Sequence, residues 1–410
     1  MNAAAREIYA DHAATTPPAA EVAAAMAPFL GPRFGNASSV HRRGEAAREA
    51  VEAARARVAS LIGATPEEIV LTATGSEANN LALKGALEAV SSAAPRAGSG
   101  AARRRIVVSA IEHPSVLETA HALEAMGCEV TVVPVGADGV LDPVRVARAI
   151  GPDVALVSVM RVNNEIGTLQ PVAEIARAAR EAGALMHCDA VQAVGRMPVD
   201  VDGLGVDLLS LAGHKFHGPA GAAALYVRRR TRLMPQTHGG HQERSRRAGT
   251  ENLAAIVGLG VAAERAGRLL ESALPARLAA CGGRLLEGLL ARVPSVRLNG
   301  DRERRIASLV NVRFEGVDGE AVLHELDLAD ITVSTGSACS AATPGPSHVL
   351  LALGLRPEDA HASVRYSLGE GIDDHDVDRI ITTTATVVDR LRALGGPAPH
   401  PAVRATAAGA

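Results

Sequence analysis

The chain reads as an α/β protein built on a mostly parallel sheet, with a smaller α+β domain after it, and three features of the sequence carry that reading. Short β-branched runs alternate with helix-period segments through its first two thirds. Beyond residue 270 the texture changes, with strands at 308–314, 331–334 and 363–368 separated by helices. A length of 410 residues with 47% hydrophobic content suffices for a large core and for two domains.

Taken in order, 44–62 carries apolar residues at helical spacing. The run 69–72 reads as a strand feeding a helix over 76–90, which opens with Ser76 and Glu77. Residues 91–100 are rich in Ser, Ala, Gly and Pro and read as a surface loop. A strand at 106–109, a helix at 115–126, a strand at 129–133, a helix at 143–150 and a strand at 154–159 follow. Such alternation implies a parallel sheet covered on both faces. Two more apolar runs end in Asp189 and in the turn Gly213-His-Lys215, and a helix covers 251–270. Residues 394–410 have little to bury and read as a disordered tail.

Composition narrows the function. A net charge of −3 without a basic stripe, and only 2% aromatic residues, argue against nucleic acid as a direct partner. The longest apolar stretch, 253–263, is too short to span a bilayer, and Arg6, Glu7 and Asp11 interrupt any secretory core near the start. A cytoplasmic enzyme with no membrane partner is the expectation. Cys128, Cys188, Cys281 and Cys339 are dispersed, which fits neither a disulfide framework nor a zinc site.

Lys215 ends a short apolar stretch in a turn, a poor place for a lysine that only solvates a surface. Asp189 ends a neighbouring run, with Gln192 just beyond. An amine and a carboxylate at adjacent strand ends suit pyridoxal 5'-phosphate, which takes a Schiff-base amine and a partner for its ring nitrogen. The Gly75-Ser76 turn between a strand and a helix offers backbone N–H groups to a phosphate. On local sequence alone, an ordinary helix N-cap is the stronger reading of Ser76.

The ordered set Tyr9-Ala-Asp-His-Ala-Ala-Thr-Thr-Pro17, Phe34-Gly-Asn-Ala-Ser-Ser39, Glu112-His-Pro-Ser-Val-Leu117, Val162-Asn-Asn-Glu-Ile-Gly167, Gly213-His-Lys215, Arg247-Ala-Gly-Thr250 and Ser337-Ala-Cys339 resembles the cysteine desulfurases of the class V aminotransferase group. Within that group it is closest to the subfamily serving iron-sulfur cluster assembly and nitrogenase maturation. The resemblance implies fold type I of the pyridoxal phosphate enzymes and a homodimer with active sites at the subunit interface. It implies a large domain over 15–262, a small domain from 1–14 with 263–393, and L-cysteine as substrate. By the same resemblance Lys215 carries the cofactor, Asp189 pairs with its ring nitrogen, Gln192 meets its ring hydroxyl and His113 stacks on the ring. Gly75, Ser76 and His214 hold the phosphate, joined by Thr250 from the other subunit, while Asn36, Asn164 and Arg365 orient the substrate.

Cys339 decides the chemistry. It lies among small residues with no apolar pattern to bury a thiol, whereas Cys188 and Cys128 fall on strands and Cys281 on a helix. A thiol of pKa near 8.5 is only about 3% thiolate at pH 7, so lowering it to about 7 raises the nucleophile roughly fifteenfold. The expected product is a persulfide on Cys339, from which an acceptor protein, an iron-sulfur scaffold or a thiolation protein, collects the sulfur. No resident metal is expected, and a transient iron-sulfur ligand role for Cys339 stays open. A selenocysteine lyase, a class V aminotransferase and a non-enzymatic sulfur-carrier platform are the alternatives. One position departs from the family pattern: Ala212 stands where relatives commonly place a Ser or Thr that donates to the phosphate.

Overall fold

The computed structural model describes residues 6–92, 103–336 and 345–395. Its strands are β1 (Ile8–Tyr9), β2 (Ile69–Thr72), β3 (Arg105–Ser109), β4 (Glu129–Val133), β5 (Val154–Ser158), β6 (Leu185–Asp189), β7 (Leu208–Ala212), β8 (Ala223–Val227), β9 (Val296–Leu298), β10 (Leu309–Phe314), β11 (Ile331–Thr332) and β12 (Ser363–Ser367). Seven of them form one sheet in the order β2-β8-β7-β6-β5-β3-β4.

All neighbours from β7 to β4 run parallel, and β8 alone runs against both β2 and β7. The sheet is thus mostly parallel, as expected, and β8 is the exception: it follows β7 through a short connection rather than a helical crossover, which forces it to run back. β5 and β7 are buried at every residue, as continuous apolar runs in a doubly covered sheet should be.

Helices lie close to their sequence expectations. Those at Arg42–Leu61, Gly75–Ser91, Pro114–Ala125, Pro143–Ala149 and Leu253–Leu270 match to within two residues at each end. The Gly75–Ser91 helix buries Ala78, Leu81, Ala82, Ala86 and Leu87 against β5, β7 and β8. On the opposite face the Leu253–Leu270 helix packs on Arg42–Leu61. The two axes approach so closely that a Cβ at Gly260 would stand 2.6 Å from the Ala54 Cα.

A second core gathers Ile8, Leu285, Leu289, Val312, Phe314, Val364, Tyr366 and Ile380 around the antiparallel sheet β12-β10-β9. The helix Leu274–Arg292 follows Leu253–Leu270 directly and carries the chain from the first core to the second. The N-terminal segment belongs to the second core, where β1 pairs in parallel with β11. From there it runs past Asp11, bridged to Ser367, into the space between the two cores. The 91–100 loop and the 394–410 tail lie largely outside the described residues, as does the strand-to-helix segment bearing Cys339. Among the described residues no helix is long and apolar enough to cross a membrane.

Candidate active site

The carboxyl ends of β6 and β7 lie side by side, with Asp189 in register with Ser210. Such ends are where open α/β sheets hold ligands. After β7 a single 3-10 turn, Gly213–Lys215, reverses the chain and aims Lys215 back toward Asp189. A cavity of about 370 Å³ opens there, lined among others by Gly75, Ser76, His113, Asn164, Asp189, Gln192, His214, Lys215 and Arg365. Nine of the residues singled out in the sequence thus meet in one place.

Each is fixed by neighbours that can be named. Lys215 Nζ donates to the carbonyls of Ala13 at 2.8 Å and Ala14 at 2.6 Å, so the N-terminal segment supplies its acceptors. The Asp189 carboxylate is buried and accepts from Asn79 Nδ2 at 2.7 Å and from the Val191 N–H at 3.0 Å. Gln192 Nε2 donates to the Ala13 carbonyl at 2.8 Å, which leaves its Oε1 buried without a partner. His113 caps the Pro114–Ala125 helix, its Nδ1 accepting from the Ser115 N–H at 3.1 Å and facing Ser115 Oγ at 2.8 Å. Burial, together with the nearby Lys215 and His348 charges and against the pull of Asp189, lowers the His113 pKa. The ring is therefore neutral at pH 7.

His214 is pushed down to about 4, first by burial and then by the Lys215 and Arg196 charges, and its Nδ1 faces Thr15 Oγ1 at 3.1 Å. The helix that begins at Gly75 is capped by Thr74, whose Oγ1 accepts from the Glu77 N–H at 3.0 Å. The N-cap reading of Ser76 is thereby corrected: Ser76 lies two positions past the cap, and it lines the cavity. A Cβ on Gly75 would come within 3.0 Å of Val191 Cγ2 and 3.4 Å of Ala212 Cβ, so this turn accepts only glycine without adjustment.

Arg365 lies buried on β12. Its Nη2 donates to Asp11 Oδ1 at 2.6 Å and its Nη1 to the Asn164 carbonyl at 2.9 Å, while Nε is buried with no acceptor among the described residues. Asn164 Oδ1 is likewise buried without a partner. The orphaned polar atoms of Gln192, Asn164 and Arg365, ringed around a lysine and a carboxylate, fit a polar ligand with a basic ring, a hydroxyl and carboxylate groups. Pyridoxal phosphate with an amino acid substrate meets that description, so the residues present fit the cofactor.

Two predicted residues do not join them. Asn36 is exposed, its Oδ1 accepting from the Ser38 N–H at 2.9 Å, and Thr250 is exposed near the end of a loop. Neither lines this cavity of their own chain. Cys339 lies outside the described residues. Conversely, Asn79, Ser115 and Asp11 carry out work that no role had been given in the sequence. Asn79 stands one helical turn after Ser76, a spacing that puts both on one face and could have flagged it. Asp11 lies in the quoted Tyr9–Pro17 motif, but only its bridge to Ser367 on β12 brings it to Arg365.

The remaining three cysteines are buried, and burial with Asp189 nearby raises the Cys188 thiol pKa well above its ordinary value. Among the described residues, one group has the spacing of metal ligands, Asp373, His375 and Asp376. Asp373 and Asp376 are occupied there as a helix capping box.

Comparison with known proteins agrees with this geometry. Residues 8–380 match the model of the class V aminotransferases. A protein of Dictyoglomus turgidum named cysteine desulfurase IscS is 43% identical over 389 residues, covering 95% of this chain and 96% of the relative. Among solved structures, a NifS-like protein superposes with a TM-score of 0.86 at 32% identity, covering 94% of this chain and all of that one. SspA, solved in complex with cysteine, gives a TM-score of 0.76 at 36% identity over 88% of this chain and 98% of its own. On the family match and on these identities, the chain belongs to the class V aminotransferases.

Proposed function

We propose that this chain is a pyridoxal phosphate-dependent cysteine desulfurase that converts L-cysteine to L-alanine and passes the sulfur, through an enzyme persulfide, to an acceptor. The observation that carries the reading is the convergence of Lys215, Asp189, Arg365 and the Thr74–Ser76 turn on one cavity. When bound, the cofactor supplies an aldehyde for the substrate amine and a ring that withdraws electrons from the substrate α carbon.

The protein's own groups do the rest. Asp189, held in place by Asn79 and the Val191 amide, offers its carboxylate to a protonated ring nitrogen. Thr74, Gly75 and Ser76 present a helix N-terminus to the phosphate. Arg365 lines the cavity where it can meet the substrate carboxylate, and Asp11 keeps the guanidinium from swinging away. Lys215, displaced from its carbonyl acceptors, takes the α proton as a general base and returns a proton to carbon. The neutral His113 ring offers a flat face for stacking without competing charge.

Sulfur transfer is assigned to Cys339. Its thiolate attacks the substrate sulfur, one S–S bond forms as the Cβ–S bond breaks, and a proton ends on carbon. L-cysteine plus an enzyme thiol therefore gives L-alanine plus an enzyme persulfide, with no outside oxidant. The acceptor is an iron-sulfur scaffold or a thiolation protein of the cytoplasm. Exposed Thr250 and Asn36 favour a homodimer, in which each would serve the site of the second copy. We assign 15–262 to the cofactor domain and 1–14 with 263–393 to the domain bearing Cys339.

The test is incubation of the purified protein with L-cysteine, in one arm with a reductant, measuring alanine and sulfide together, and in a second arm without it, mapping the persulfide by mass. Equal yields of both, with the extra sulfur on Cys339, are expected. The variant Cys339→Ser should keep the cofactor's absorbance and lose sulfide release. Undiminished turnover in that variant would refute the assignment.

A further inference from the structure

The turn Thr74-Gly75-Ser76 is held from behind by groups that do not reach the cavity. Glu77 Oε2 accepts from the Ala73 N–H at 2.8 Å, and the Glu77 N–H donates to Thr74 Oγ1, so this side chain closes a ring around the turn. Its other oxygen, Oε1, accepts from Arg247 Nε at 2.8 Å. Arg247 in turn belongs to a segment with an unusual backbone: Glu243, Arg244 and Ser245 have φ of 47°, 56° and 63°. Three successive non-glycine residues in the left-handed region are unfavourable, and such strain persists only where the surroundings over-determine it.

The over-determination is visible at Glu243. Its carboxylate is bidentate to Arg55, Nη1 to Oε2 at 2.6 Å and Nη2 to Oε1 at 2.9 Å, with both side chains buried. The same pair grips β2. Arg55 Nη1 donates to the Ile69 carbonyl at 3.0 Å, and Glu243 Oε2 accepts from the Leu71 N–H at 2.8 Å. Among the described residues β2 is an edge strand paired only with β8, so the ion pair stands where a further strand would be and satisfies that outer edge. β2 leads within two residues to the turn.

We propose that Glu77 and Glu243 are positioning residues for the cofactor's phosphate. The Arg55–Glu243 pair fixes the strained turn to the edge of β2, and the Arg247–Glu77 pair carries that constraint to the amides of Thr74 to Ser76. Neither glutamate touches the cofactor; both set where its phosphate donors sit. The inference rests on the cofactor reading above and adds the source of phosphate affinity to it.

The experiment titrates the cofactor-free protein with pyridoxal phosphate and, separately, with pyridoxal, which has the same ring and aldehyde but no phosphate. Glu77→Gln and Arg247→Lys are expected to raise the dissociation constant for pyridoxal phosphate about tenfold or more while leaving that for pyridoxal within about twofold. Glu243→Gln should do the same; should it not fold, the Arg247→Lys result decides, since that side chain is partly exposed. Equal losses for the two ligands would mark a purely structural role and overturn the proposal, as would no loss in Glu77→Gln. Wild-type protein that bound neither ligand would sink the cofactor reading itself and this inference with it.

Discussion

Lys215 can be tested where it acts. Borohydride reduction of the cofactor-loaded protein followed by peptide mapping should label this side chain, and Lys215→Ala should abolish both the label and turnover while leaving the fold intact. Ala212 is the position where the family resemblance leads to the expectation of a Ser or Thr. Its Cβ lies next to Gly75, so a hydroxyl added there falls beside the phosphate turn. Because a hydrogen bond to a charged group contributes about 1.5 to 3 kcal/mol, Ala212→Ser should tighten cofactor binding by roughly one to two orders of magnitude. An unchanged dissociation constant would show that the turn already has its full set of donors. For Arg365→Lys the planar fork is lost, and kcat/KM for L-cysteine should fall roughly ten- to a hundredfold, mostly through KM.

At the scale of elements, the turn after β6 and the turn after β7 are locked together. Gly195, at φ 79°, lies so near Phe216 that a Cβ there would meet the Phe216 Cβ at 2.4 Å. Gly195→Ala should therefore destabilise the fold by about 1–3 kcal/mol, read as a lower urea midpoint. It should also shift the cofactor's absorption, because Phe216 follows Lys215 directly. Much of this arrangement was legible in the sequence. Apolar runs ending in Asp189 and Lys215 announced two strand ends, since fully buried parallel strands leave few other positions for polar groups. β8 was not legible, for Ala223-Ala-Leu-Tyr-Val227 is too short and alanine-rich to stand out from a loop. Nor was the Arg55–Glu243 pair, whose members are far apart in sequence and meet only because the edge of β2 needs covering.

For the whole molecule, acid is the informative perturbation. His187 is fully buried between Ser158 Oγ at 2.8 Å and Ser210 Oγ at 3.0 Å, and burial depresses it to about 4. The unfolded chain takes up that proton near pH 6.5, so the stability linked to it is complete above pH 6.5 and is lost as pH falls toward 4. The loss amounts to about 3 kcal/mol for this one group at most, and denaturant unfolding at pH 7 and pH 4.5 should reveal it. An unchanged midpoint would mean that the ring is protonated in the fold.

The N-terminal strand has an implication for biosynthesis. The Ala13 and Ala14 carbonyls hold the Lys215 amine and Asp11 holds Arg365, yet the His12 N–H donates to the Ser367 carbonyl and the Ala10 N–H to that of Thr332. Residues synthesised early must wait for others made far later before they can settle. A nascent chain still missing β12 cannot assemble a working centre, however well its seven-stranded sheet has formed, which keeps half-made molecules from liberating sulfur.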